Sequence, residues 1–406
     1  MNAASYLTRQ PIVDRHHNIF AYELSSRHSD DHADRKTGLG DNSRINVIGN
    51  TLYNLGEDWL LKDKLIFIEA DEALLMSDFP ALLPADKVVI KLLKTIQPTP
   101  TLTLRIQELH QLGYRFALGV NVLLPEFKSI LPFSSYIKLD VMGLSAERVT
   151  AIVENIKRHP VKLIAGQIEK SSTYKQIEGI GFDFFQGYYC AWPEHYATKT
   201  INPSQALVLD LMNKVRADAD AHQIENIFKR DVALTFKLLR HINSAGFGLA
   251  CEVQSIRHAV NILGMKPLYR WLNLLLATAS NKPTASALTR IAVTRGRLCE
   301  LLGRHHMARE DQDNLFITGV FSLLDAIMEM PMTEILVHVA LPESISEAIL
   351  DYSGEYGSIL ELAVASEDRE AKQIAMLAES LFLSPEQVNT ASLQALSWAE
   401  EIGLDG

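Results

Sequence analysis

The sequence predicts an α/β half over residues 1–200, either a (β/α) barrel or a doubly wound sheet, followed by an all-α helical domain over residues 201–406. Three observations carry this. Short, nearly continuous apolar runs alternate with helical stretches through the first half, as buried strands and crossover helices do. The alternation stops near Ile201–Pro203, and beyond it apolar residues recur with a helical period. The 406 residues, 47% hydrophobic and 22% charged, are enough for two or three domains and for sizeable cores without disulfide staples.

In chain order, the strand candidates are Tyr6–Val13, Leu65–Ala70, Val88–Leu92, Arg115–Val120, Tyr136–Leu139, Leu163–Ile168 and Phe182–Gln186. Their apolar runs fit parallel strands covered on both faces. Thr101–Leu112 and Ala146–His159 are helical stretches between them. In the second half the clearest amphipathic helices are Val232–Ile242, Ser255–Leu263, Leu288–Leu302, Leu315–Met328, Ser344–Leu350 and Ser358–Glu367. Asn243-Ser244-Ala245-Gly246 reads as a helix cap followed by a Gly-assisted turn. The apolar stretch Trp271–Leu276 belongs in the helical core.

The net charge of −10 disfavours non-specific attraction to nucleic acid or anionic membrane. Charge is also uneven. Residues 203–309 carry 15 basic and 7 acidic residues, whereas residues 310–406 carry 2 and 19. Either these parts face each other or they are two separate solvated faces. The three cysteines, Cys190, Cys251 and Cys299, are sparse and unpaired in spacing, which fits a reducing cytoplasm. No signal-peptide pattern opens the chain, and no apolar run approaches the ~20 residues of a membrane span.

Several motifs then point to families. Arg9-Gln10-Pro11-Ile12-Val13, Ile19-Phe20-Ala21-Tyr22-Glu23-Leu24-Ser25-Ser26-Arg27, Tyr136-Ile137-Lys138-Leu139-Asp140 and Gly181-Phe182-Asp183-Phe184-Phe185-Gln186-Gly187-Tyr188 occur in order. In this the first half resembles the EAL family of cyclic di-GMP phosphodiesterases. The resemblance implies a TIM-like (β/α) barrel with its site at the C-terminal strand ends. The second half, through Leu238-Leu239-Arg240-His241-Ile242-Asn243-Ser244-Ala245 and Val253-Gln254-Ser255-Ile256-Arg257-His258-Ala259-Val260, resembles the HDOD domain, a helical relative of HD hydrolases. Together they look like an EAL–HDOD signalling protein.

That resemblance implies two divalent metals, Mg²⁺ or Mn²⁺, held mainly by carboxylates. Glu23 matches the first metal-binding glutamate, and Lys138 and Glu169 match other catalytic positions. Elsewhere the pattern departs. Glu69 stands for an asparagine, and Lys91-Leu92-Leu93-Lys94 for an acidic motif. Gly119-Val120 replaces paired aspartates, and Ala165-Gly166-Gln167-Ile168-Glu169 replaces Ala-Glu-Gly-Val-Glu. Cations repel metal ions, so the expectation is a degenerate phosphodiesterase: not an enzyme, with Glu23, Lys138 and Glu169 as remnants and no metal or cofactor. Gln10, Arg27, Lys91 and Gln186 are the candidate nucleotide contacts, with Lys91 or Lys94 supplying the positive charge a metal would bring. Ser322-Leu323 sits where an HD hydrolase carries His-Asp.

The expected function is therefore non-catalytic signal transduction through contacts with signalling or regulatory proteins, linked to cyclic di-GMP. The alternatives are an active phosphodiesterase with an atypical Mg²⁺ or Mn²⁺ site built on Glu23, Glu69 and Glu169, and a metal-free cyclic di-GMP sensor. Other signals read as structural. His28 and His32, with Asp30, Asp31 and Asp34, fall in a polar stretch that suits a solvated loop. His16-His17 reads as a turn, His305-His306 as helix surface, and Cys190 as a small buried hydrophobe.

Overall fold

The structure, a computed structural model, describes residues 5–28, 61, 63–189, 201, 203–243, 253, 255–278, 285–304, 306–339, 341–368 and 371–402. Eight strands close into a barrel in chain order: β1 (Ser5–Asp14), β2 (Ile19–His28), β3 (Leu65–Ala70), β4 (Val88–Leu92), β5 (Arg115–Gly119), β6 (Ser134–Asp140), β7 (Lys162–Gly166) and β8 (Phe184–Gln186). β2 to β8 run parallel, while β1 is antiparallel to both β2 and β8. The TIM-like barrel is present with one strand reversed, which corrects the parallel reading of Tyr6–Val13.

The reversal follows from the connection. Only residues 15–18 separate β1 from β2, and Asp14 Oδ1 accepts the backbone N–H of His16 and of Asn18. So tight a turn joins only antiparallel strands, because parallel neighbours need a crossover of a dozen residues or more. β2 itself is absent from the strands read in the sequence, since Glu23, Ser25 and Ser26 interrupt its apolar pattern.

Helices α1 (Glu72–Met76), α2 (Pro100–Gln111), α3 (Ala146–Ile156) and α4 (Ser171–Ile177) cover the later strands. α2 begins where Thr99 caps the Leu102 amide and Pro100 fills the first turn; Leu102, Ile106 and Leu109 bury its inner face. α3 repeats this logic from Ser145, with Val149, Val153 and Ile156 inward. Inside the barrel, Ile12, Ala21, Phe67, Val89, Ala117, Tyr136 and Ile164 form an apolar layer against which Phe20 and Phe184 stack, 4.1 Å between ring centres.

The second half comprises α5 (Pro203–Arg216), α6 (Ala221–Phe228), α7 (Val232–Ile242), α8 (Ile256–Leu263), α9 (Met265–Thr278), α10 (Ala285–Gly303), α11 (Arg309–Phe321), α12 (Leu324–Met328), α13 (Met332–His338), α14 (Glu343–Asp351), α15 (Gly354–Asp368), α16 (Ala371–Ser380) and α17 (Pro385–Glu401). Among the described residues it holds no strand, in line with the all-α expectation. Trp271, Leu272 and Leu276 are buried in its core. α10 and α11 cross at glycines: a Cβ on Gly319 would lie 2.6 Å from Gly296 Cα. Asn243 ends α7 and its side chain bonds both backbone groups of Val253, closing the segment between them. That segment's Ser244, Ala245, Gly246 and Cys251 lie outside the described residues.

Among the described residues, the basic and acidic parts of the helical half face each other at Arg270–Asp313 (3.4 Å), Arg290–Glu400 (2.7 Å) and Arg295–Glu367 (2.7 Å). The helical half also packs on the barrel. The β1–β2 turn has no room for a helix, and α15, α16 and α17 pack on β1 while α16 packs on β2. Leu393 and Leu396 of α17 join the barrel's apolar core, and Asn389 bonds the Leu7 amide at 2.8 Å and the Ser5 carbonyl at 3.1 Å.

Candidate functional site

Side chains two apart on a strand share a face. Two residues toward the mouth from each member of the apolar layer stand Gln10, Glu23, Glu69, Lys91, Gly119 and Lys138, with Gly166 and Gln186 completing the ring. The barrel thus gathers Glu23, Lys91, Lys138, Gln10 and Gln186 at its C-terminal strand ends, although they span 176 positions of sequence.

Glu23, only 6% exposed, lies at the centre. Lys91 Nζ donates to Glu23 Oε1 at 2.6 Å and to Glu69 Oε1 at 3.0 Å, and Lys138 Nζ donates to Glu23 Oε2 at 3.1 Å. Lys94 pairs with Asp140 at the outer rim. Burial alone would raise the Glu23 pKa, but the ammonium groups of Lys138 and Lys91 outweigh it and hold the carboxyl down at about 2. For Lys91, the Glu23 and Glu69 carboxylates outweigh burial and hold the ammonium above the ordinary lysine value. For Lys138 burial prevails over the attraction of Glu23, and with repulsion from Lys91 the ammonium sits below that value.

The glycines show how the lysines came to fit. A Cβ on Gly166 would meet Lys138 Cε at 2.5 Å and Asp140 Oδ1 at 2.7 Å. The position where the family resemblance expects a glutamate is thus filled by its neighbours. Gly119 lies 3.8 Å, from its would-be Cβ, beneath Lys94 Cγ. The next residue after Gly166, exposed Gln167, takes a left-handed φ of 59°, at the place where the motif carries glycine. Glu169 is half-buried just past β7. Gln186 is fully buried and donates to Gln10 Oε1 at 3.1 Å, while its own Oε1 has no hydrogen-bond partner among the described residues. The side chain of Arg27 lies outside the described residues.

This donor set does not fit a pair of divalent ions. Lys91 Nζ holds the space between the two glutamates, and an ammonium neither binds a cation nor tolerates one at hydrogen-bond distance. Among the described residues, no group of three or more His, Cys, Asp and Glu is arranged to hold a metal ion. In the helical half the expected helix through Ser322 breaks there, between α11 and α12; Ser322 Oγ accepts from Arg295 Nη1 at 2.8 Å, beside the buried Arg295–Glu367 pair.

Of the remaining signals, His17 is a buried turn residue with φ 59°, its Nδ1 2.8 Å from the Tyr189 hydroxyl. Burial, the largest influence, lowers its pKa. His306 is exposed just past α10. Asp30, Asp31, His32, Asp34, Cys190 and His305 lie outside the described residues. Sequence reasoning passed over Asp140, although its place two residues after Lys138 on one strand was the available signal. It also missed Arg9, Tyr22, Arg290 and Glu400.

Residues 203–347 match the HDOD domain family. The helical half carries an HDOD domain. The chain is thus a closed eight-stranded barrel followed by a helical half that matches the HDOD domain. It is 25% identical over 401 residues to the cyclic di-GMP phosphodiesterase CdgJ of Vibrio cholerae, covering 98% of this chain and 93% of that protein. It is 27% identical over 406 residues to the uncharacterized protein YuxH of Bacillus subtilis, covering 98% of each. The barrel aligns with an EAL domain protein of Listeria monocytogenes, at 16% identity and a TM-score of 0.38 over 46% of this chain and 87% of that one. It also aligns with the FimX EAL domain of Pseudomonas aeruginosa bound to c-di-GMP, at 19% identity and a TM-score of 0.37 over 47% and 90%.

The expectation that this chain is not an enzyme is corrected by the CdgJ match: a relative spanning almost all of it is named a phosphodiesterase. The expectation counted missing metal ligands only. Glu23 and Lys138 are both in place at the mouth, in contact at 3.1 Å. Among the described residues, no helix is long and apolar enough to cross a membrane.

Proposed function

We propose that the barrel mouth binds cyclic di-GMP on lysine ammonium groups in place of a metal pair, and that the chain acts in cyclic di-GMP signalling in the cytoplasm. The observation that carries this reading is Lys91 Nζ between Glu23 and Glu69, at 2.6 and 3.0 Å. It holds an ammonium group at the strand ends, where the barrel fold places its ligands. Lys94, 72% exposed, is free to exchange Asp140 for a phosphodiester oxygen. Gln10 and the unsatisfied Gln186 Oε1 offer polar contacts beside it. The HDOD half then presents the response to a signalling or regulatory protein partner.

The CdgJ match and the Glu23–Lys138 contact favour a second reading, hydrolysis of the dinucleotide at this same mouth. Calorimetric titration with cyclic di-GMP in a chelator, with parallel chromatography for a linear product, tests both. Micromolar binding that weakens at least tenfold in Lys91→Met supports the first. Product that disappears in Glu23→Gln supports the second. No binding at high micromolar nucleotide overturns the first, and no product with or without added Mn²⁺ overturns the second.

A further inference from the structure

β1 and β2 face two ways. Gln10 and Glu23 point into the mouth, whereas their neighbours Arg9 and Tyr22 point out toward the HDOD half. The outward set is tied into the helices by a buried polar network. The Tyr22 hydroxyl donates to Glu400 Oε1 at 2.8 Å, and Arg290 Nη1 donates to Glu400 Oε2 at 2.7 Å. The Tyr188 hydroxyl, two residues past Gln186, donates to the Arg9 carbonyl at 2.6 Å and lies 3.4 Å from the Glu367 carbonyl oxygen. Arg290 and Glu400 are 2% and 3% exposed.

We propose that Tyr22, Arg290 and Glu400 are positioning residues for the barrel mouth: the HDOD half sets the affinity of the pocket, and occupation of the pocket is felt along α17. The reason is mechanical. Among the described residues, α15, α16 and α17 pack on β1 and α16 packs on β2, and the Tyr22–Glu400 bond fixes β2 to α17 one residue from Glu23. A buried hydrogen bond to a charged group is costly to leave unmade. The strand and helix therefore move together, and Glu23 in turn holds Lys91 and Lys138. Coupling between two sites is reciprocal, so the helix must sense what the pocket binds.

The ligand in this inference rests on the cyclic di-GMP reading, and the test separates the two. The full chain and its Tyr22→Phe variant are titrated with cyclic di-GMP, and amide exchange over residues 385–401 is followed with and without nucleotide. Arg290→Lys, which keeps the charge, is the second variant should the first not fold. The expected result is affinity at least about fivefold weaker in the variant. Nucleotide should slow exchange in α17 of the native chain, and this slowing should be absent in the variant even at saturation. Equal affinities, or α17 exchange blind to bound nucleotide, overturn the inference and leave the function standing. If the native chain binds no cyclic di-GMP, the function falls, and exchange in α17 of Lys91→Met decides the coupling without ligand. A changed rate supports it and an unchanged rate overturns it.

Discussion

Replacing Glu23 by Gln removes the central charge of the mouth while keeping its shape. In the native chain the Glu23 carboxyl titrates near pH 2 rather than at its ordinary 4.5. At 1.36 kcal/mol per unit, that difference is about 3 kcal/mol of folding stability. The sign follows from the direction. A carboxyl depressed on folding contributes its full share above the unfolded value, and loses it as pH falls from about 4.5 toward 2. The variant should therefore be about 3 kcal/mol less stable at pH 7, within the range for breaking a buried pair. At pH 3 the gap should shrink to roughly half, because the native carboxyl is then losing the same advantage. Urea denaturation followed by circular dichroism at both pH values measures the two gaps. A gap below 1 kcal/mol at pH 7, or one that does not change with pH, would refute the claim that Lys91 and Lys138 hold this carboxylate.

Three further outcomes are expected. Gln167→Gly should raise stability by about 0.5–1 kcal/mol, because an exposed L-residue leaves a left-handed φ of 59°; thermal unfolding reads it as an upward shift in Tm. Gly187→Ala should cost 3 kcal/mol or more, since its φ is +144° and a Cβ would lie 2.1 Å from the Ile168 carbonyl oxygen, so soluble yield and Tm should both fall. Arg295→Met should lose about 3–5 kcal/mol by stranding Glu367, and adding Glu367→Leu should restore most of it, a double-mutant cycle in denaturant being the measurement.

Much of this architecture is legible in the residues, and the illegible parts have physical causes. Tyr136–Asp140 reads as a strand and as a motif together, because a buried parallel strand is apolar except where it carries a functional side chain. β2 was visible only as a motif, since Glu23 and the two serines break the run that marks a strand. Lys91 and Lys94 announced a change of charge at the mouth. That Lys91 would span Glu23 and Glu69 depends on register between strands, which no spacing in the chain encodes. The Tyr22–Glu400 bond joins residues 378 positions apart. Its only precursor in the sequence was the short β1–β2 turn, which has no room for a helix between the two strands.

Titration of the full chain with cyclic di-GMP in the presence of a chelator, repeated with added Mn²⁺, tests most directly whether ammonium groups have taken the place of metal at the mouth. The account predicts micromolar binding in chelator, unchanged by Mn²⁺ and at least tenfold weaker in Lys91→Met. Binding that appears only when Mn²⁺ is added, and survives in Lys91→Met, would contradict it.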